Sequence, residues 1–157
     1  MIIENPIFLQ NCLAQAVSDV LSTMAGLESC EIKEQKQKSR AGKGEITGVM
    51  MILSEHNALL SMTLSKENAA IIVSYMTGIA SGDLADDELY DGVAELVNMI
   101  AGRAKALLAG TEYHYRITPP LTIVGKDHFI LYKKSVSQLN MEFQAGETKL
   151  HLELTYL

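Results

Sequence analysis

The sequence predicts an α+β fold in which an antiparallel sheet packs against long helices. Two stretches, 7–25 and 86–108, repeat apolar residues every three or four positions, the spacing of an amphipathic helix. Toward the C-terminal end the spacing changes, and Leu150, Leu152 and Leu154 alternate with polar residues as in a half-buried strand. Helical and strand-like stretches are partly segregated and joined by hairpin-length turns, which favours antiparallel pairing. With 157 residues, 48% of them hydrophobic, the chain is expected to form one domain spanning 1–157 around one core.

The first helix carries Leu9, Leu13, Val17, Val20, Leu21 and Met24 on one side. Asn5 before Pro6 is placed to cap it and Gly26 to end it. Residues 31–38 alternate charged and polar side chains and are expected to form an edge strand, with a turn at Gly42-Lys43-Gly44. Glu45 to Leu53 and Ala58 to Leu64 are expected strands, joined through Ser54-Glu55-His56-Asn57. Gly48 inside the first of them implies a bulge or a close backbone approach. Ser65 caps a second helix over 66–77, closed by Gly78. The third helix opens on Asp86-Asp87-Glu88, where its dipole favours carboxylates, and runs to about Leu108, with Gly110 just beyond. Thr118-Pro119-Pro120 interrupts regular structure, and strands are expected at 121–124, 128–133, 136–143 and 149–156, the last after a turn at Ala145-Gly146-Glu147. The Tyr113-His114-Tyr115 cluster is taken as a strand edge. No fixed-period repeat stands out.

Composition excludes several classes. The formal net charge is −6, and the only basic cluster, Lys33, Lys36, Lys38 and Arg40, is interleaved with Glu31 and Glu34, so nucleic acid is not an expected partner. No leader pattern and no apolar run near 18 residues is present, so a cytoplasmic protein without a membrane span is expected. Cys12 and Cys30 form no CxxC or Cys/His cluster, and two reduced thiols are expected rather than a disulfide. His56, His114, His128 and His151 are scattered and are expected at turns or strand surfaces. Methionines such as Met50, Met51, Met62, Met76 and Met99 are expected to fill core space. There is no P-loop, GxSxG elbow or HExxH to suggest a self-contained small-molecule enzyme.

The chemistry concentrates on the third helix. Leu89, Val93, Leu96, Val97, Ile100, Ala104, Leu107 and Leu108 fall on one face, which must be buried. Glu88, Asp91, Glu95, Asn98, Gly102 and Lys105 fall on the opposite stripe, facing solvent or a partner. Asn98 and Gly102 are poor helix formers, costing several tenths to about 1 kcal/mol each relative to Ala. Gly102 leaves bare backbone one turn from Asn98, so a partner surface can come close there. A carboxamide donates and accepts at once, so Asn98 is suited to orient an attacking water. Glu95, one turn earlier, is suited to pair with a partner's cation or to act as a base. On a convex helix these groups are better placed to enter another protein's active site than to form a pocket.

Asp91-Gly-Val-Ala-Glu95-Leu-Val-Asn98-Met-Ile-Ala-Gly102-Arg-Ala-Lys105-Ala-Leu-Leu108 resembles the signature helix of the CheC/CheX/FliY family of chemotaxis phosphatases. That pattern is an acidic or serine residue, three residues, Glu, two residues and Asn, with a proline about twenty residues on. Pro120-Leu-Thr-Ile-Val-Gly125, Leu21-Ser-Thr-Met24-Ala-Gly26 and Gly48-Val-Met-Met extend the likeness over about 8–130. One Glu-x-x-Asn helix is similar to CheX, whereas CheC carries two; Ala94 departs from the glycine common before the glutamate.

The resemblance implies dephosphorylation of a phosphorylated CheY-like response regulator, which supplies the phosphoaspartate and the Mg²⁺. Asn98 would position the hydrolytic water, Glu95 would contact the regulator's active-site lysine, and Asp91, Gly102 and Lys105 would add partner contacts. No cofactor of its own is implied. A homodimer joined through sheet edges is. The competing expectation is a non-catalytic adaptor that docks the regulator on the same scaffold.

Overall fold

The computed structural model describes residues 3–32, 44–132 and 136–157. The fold class is the expected one. Among these residues, three α-helices lie against a seven-stranded sheet in which every pairing is antiparallel. The helices are α1 (Pro6–Ala25), α2 (Lys66–Thr77) and α3 (Asp86–Leu107), with a short 3₁₀ turn at Ser81–Asp83. The strands are β1 (Ser29–Glu31), β2 (Gly44–Leu53), β3 (Ala58–Leu64), β4 (Arg116–Ile117), β5 (Leu121–His128), β6 (Ser137–Ala145) and β7 (Thr148–Tyr156).

Local signals act where the sequence puts them. The Asn5 side chain accepts from the Phe8 amide at 3.1 Å, Pro6 occupies the first turn of α1, and Gly26 closes it in the left-handed region at φ 62°. Ser65 caps α2 through the Asn68 amide at 3.1 Å, and Gly146 turns β6 into β7 at φ 60°. Because side chains alternate along a strand, one row of paired residues (Gly48, Met62, Leu152, Met141) faces the helices. The neighbouring row (Thr47, Thr63, His151, Glu142) faces away. The core forms between the first face and Leu9, Leu13, Val17 and Leu21 of α1, Ile72 of α2, and Val93, Leu96, Val97 and Ile100 of α3. Each such side chain contributes about 1.5–3 kcal/mol by leaving water.

The strand order β1-β6-β7-β3-β2, with β5 on the outer edge of β2, contains a repeat. Exchanging β1 with β5, β2 with β6 and β3 with β7 reproduces the same order reversed. Leaving aside α2 and the two-residue β4, each half is thus a helix followed by three strands, and each lends its first strand to the other half's hairpin. The helices repeat as well. Along 9–21 the succession of buried, half-buried and exposed positions is the same, residue for residue, as along 89–101. Only Leu9/Leu89, Ala14/Ala94 and Val17/Val97 are identical in type, so the sequence hides a repeat that burial displays.

Several expectations need correction. The expected strand at 128–133, of which Lys133 lies outside the described residues, is not found over its described part: His128 ends β5, and 129–132 cross the face away from the helices. The order requires this, because β5 and β6 lie on opposite sides of β7. The Tyr132 hydroxyl donates to Glu153 at 3.2 Å on that face, and His128 Nε2 lies 2.6 Å from Thr47 Oγ1. A short strand, β1, lies at Ser29–Glu31 and meets the expected edge strand at 31–38 only at Glu31; 33–38 lies outside the described residues, as do Gly42 and Lys43 of the expected turn. Tyr113-His114-Tyr115 precedes a strand instead of edging one. Tyr113 and Tyr115 are buried, and the Tyr115 hydroxyl donates to the Ala101 carbonyl at 2.7 Å, with burial pushing its pKa well up. His151 lies on β7, as expected of a strand position, but is half-buried. Its Nε2 meets Asn140 Oδ1 at 3.2 Å, and burial lowers its pKa against the opposing pull of Glu142 and Glu153. Cys12 and Cys30 are both free.

Candidate functional site

α3 owes its position to two glycines. A Cβ on Gly48 would lie 2.9 Å from Val97 Cγ1 and 3.2 Å from the Val93 carbonyl, so only a bare backbone lets α3 lie this close to β2. A Cβ on Gly92 would lie 2.5 Å from Val73 Cγ1, so α2 and α3 meet on a second bare spot. The close approach expected at Gly48 is therefore present, while the sheet irregularity falls between Gly44 and Ile46. At the start of α3 the Ala85 amide donates to Glu88 at 2.9 Å, and Thr122 of β5 donates to the Tyr90 carbonyl at 3.2 Å. The helix is fixed at its start, along its floor and on its α2 side.

Its outer stripe is as expected. Asp91, Glu95 and Lys105 are exposed, and Asn98 and Gly102 are half-buried along the same line. Nothing lies within 4 Å of a Cβ built on Gly102, so the backbone beside Asn98 is open to an approaching surface. Three residues of helix put Glu95 about 4.5 Å from Asn98 along the axis. One helix thus brings all five predicted residues together on one convex face.

Two features beside the stripe were not foreseen. Arg103, on the shoulder facing α1, donates from Nε to Asp19 Oδ2 at 2.6 Å. Gln15 donates to the other Asp19 oxygen at 2.6 Å. The Arg103 hydrogen bond, then the Gln15 one, holds the Asp19 carboxyl below the usual carboxylate range. Between the helices lies an open groove of about 550 Å³ lined by Ser18, Asp19, Ser22, Thr23, Met99 and Arg103. The α1 positions that match Glu95 and Asn98 in the repeat hold Gln15 and Ser18, and Gln15 is tied to Asp19. The signal that could have found this pairing is the eighty-residue offset between Leu9 and Leu89, which three identities are too few to reveal.

Chemically, the stripe offers a carboxylate, a neutral donor–acceptor amide and bare backbone on a rigid rod. It can orient a small molecule such as water and meet a cation, provided another protein supplies the reacting group. Among the described residues no helix is long and apolar enough to cross a membrane.

Comparison with known proteins bears on the fold and the family. The chain is similar to a chemotaxis protein from Desulfovibrio vulgaris Hildenborough, with 29% identity, 98% of this chain and 99% of that one covered, and a TM-score of 0.81. It is similar to the chemotaxis protein CheX from Vibrio vulnificus, with 26% identity, 97% and 98% covered, and a TM-score of 0.80. It shares its fold with the CheX of a CheX-CheY-BeF3-Mg complex from Borrelia burgdorferi, at 23% identity, 94% and 96% covered, and a TM-score of 0.76. No curated protein matches. The family model for chemotaxis phosphatase CheX matches residues 46–144, which include α2, α3, β3, β4, β5 and most of β2 and β6. The chain belongs to the CheX family of chemotaxis phosphatases.

Proposed function

We propose that this chain dephosphorylates the aspartyl-phosphate of a CheY-like response regulator, with α3 entering the regulator's active site. Asn98 orients a water in line with the phosphorus. As the water oxygen bonds to phosphorus, the P–O bond to the aspartyl group breaks, the aspartate leaves as a carboxylate, and both protons of the water leave with the phosphate as dihydrogen phosphate. Phosphoryl transfer of this kind depends on positioning and electrostatics, which one well-placed amide can supply. Glu95 pairs with the regulator's active-site lysine, and Asp91 and Lys105 make flanking contacts. The Mg²⁺ of the reaction is the regulator's, and no residue of this chain is assigned to it. The observation that carries this reading is the pairing of exposed Glu95 with half-buried Asn98 on the outer stripe of a glycine-anchored helix, in a chain of this family.

The test is to phosphorylate CheY-like regulators with acetyl phosphate and Mg²⁺ and follow phosphate release with and without this chain. Faster release from one regulator is expected and identifies the partner. Unchanged decay for every regulator, with binding retained, would put the adaptor reading in its place.

Gly102 gives a prediction with two opposite signs. Gly102→Ala adds a methyl into open space within a helix, so chemical denaturation should show a gain of about 0.5–1 kcal/mol. The same methyl stands where the regulator approaches, so KM for the phosphorylated regulator should rise. A more stable variant with unchanged KM would remove Gly102 from the contact.

We also propose a homodimer joined through sheet edges. β5 pairs with β2 on one side, no described residue pairs with its other edge, and Leu121, Ile123 and Val124 are exposed along it. Such an edge recruits another strand unless it is blocked. Sedimentation velocity should return a dimer for the wild type and a smaller species for Val124→Lys; a monomeric wild type rejects the proposal.

A further inference from the structure

We propose that the groove between α1 and α3 is part of the regulator's footprint and that Arg103 is a specificity-determining residue there, receiving a regulator carboxylate. The inference rests on the phosphatase reading, since the occupant is the same regulator. It starts from continuity. Met99 follows Asn98 directly, and Arg103 lies one turn further on, so a body seated on the stripe overlies the groove mouth.

The lining has a definite chemistry. Met99 offers a soft apolar wall, Ser18, Ser22 and Thr23 offer hydroxyls, and the only charged residues are Asp19 and Arg103. Arg103 uses its Nε on Asp19, and its two terminal amino groups make no hydrogen bond among the described residues. Its side chain is 45% exposed and Asp19 holds it from behind, so the free edge of the fork is pre-set. A planar fork with two free N–H groups matches a carboxylate in bidentate fashion.

The direction of Arg103 separates it from the chemistry. Five residues beyond Asn98 is about 7.5 Å along the axis and about 140° around it. The guanidinium therefore faces α1 and not a phosphorus held at Asn98. It acts on which regulator binds and how tightly.

The measurement is steady-state dephosphorylation of the partner regulator, with Kd for its beryllofluoride-activated form measured alongside. Arg103→Ala should raise KM and Kd about fivefold with kcat within twofold of wild type, in keeping with a half-exposed ion pair. Thr23→Trp, which fills the groove from the α1 side and leaves Arg103 in place, should raise KM likewise. Arg103→Lys should recover part of the loss, since the charge remains without the fork. A fall in kcat at constant KM would assign Arg103 to the chemistry or to the helix pair's integrity and overturn the inference. Unchanged KM in both Arg103→Ala and Thr23→Trp, while Asn98→Ala still slows the reaction, would place the groove outside the footprint and leave the phosphatase reading standing. No acceleration by the wild type itself would remove that reading, and the inference with it.

Discussion

Asn98→Ala should slow the chain's acceleration of regulator dephosphorylation by about a hundredfold, equivalent to about 2.7 kcal/mol of transition-state stabilisation. The amide is assigned one task, holding a water in line with the phosphorus, and alanine has no group to hold it with. Binding should change little, because Glu95, Gly102 and the rest of the face remain, so the loss should fall on kcat. Asn98→Asp should be no better. It keeps an acceptor oxygen but places a negative charge toward the anionic phosphoryl group and removes the N–H donor. Misfolding is separable from lost chemistry here, because alanine is the better helix former by several tenths of a kcal/mol and the variant should melt no lower than wild type. A variant that keeps full activity would remove Asn98 from catalysis. Glu95→Ala, by contrast, should act mainly through KM.

Gly48→Val should destabilise the fold by about 3 kcal/mol, lowering Tm by roughly 10 °C for a domain of this size. Valine is the better strand residue, yet that preference is worth less than about 1 kcal/mol. Against it stands the space that α3 already occupies. Even a lone Cβ would sit 2.9 Å from Val97 Cγ1 and 3.2 Å from a backbone oxygen that cannot rotate away. The added methyls would have to push α3 off the sheet, so Glu95 and Asn98 should lose their positions and activity should fall more than the stability loss alone explains. A valine variant with wild-type Tm would mean that α3 does not rest on Gly48.

The contrast between these two residues shows what the sequence makes legible. Asn98 stands out because it breaks a local rule: a poor helix former on the outer stripe of a strongly periodic helix, one turn from Gly102. Local rules also placed α1, α2, α3 and the β2–β3 and β6–β7 hairpins, whose caps and turns lie within a few residues of what they control. Gly48 announced only that something comes close. That the visitor is Val97, forty-nine residues away, is decided by tertiary packing. The Asp19–Arg103 pair was missed for the same reason, since neither residue is unusual within its own helix. The path of 129–132 across the sheet was misjudged because Phe129, Ile130 and Leu131 have strand-like composition whether or not they pair. The repeat is hidden in the sequence because it lies in burial and topology, with only three identical residues along 9–21 and 89–101.

The interleaved order of the sheet bears on how the molecule is made. β7, the strand latest in chain order, sits between β6 and β3, so it joins the two halves. As the chain emerges from the ribosome, β2 and β3 can form their hairpin, but the far side of β3 has no partner until β7 is synthesised. The edge exposed during that interval carries Leu60 and Met62, and nearly all the helical mass has already been translated. Synthesis that stalls shortly before residue 148 would leave a nascent chain with its helices complete and the centre of its sheet open, the form most in need of a chaperone.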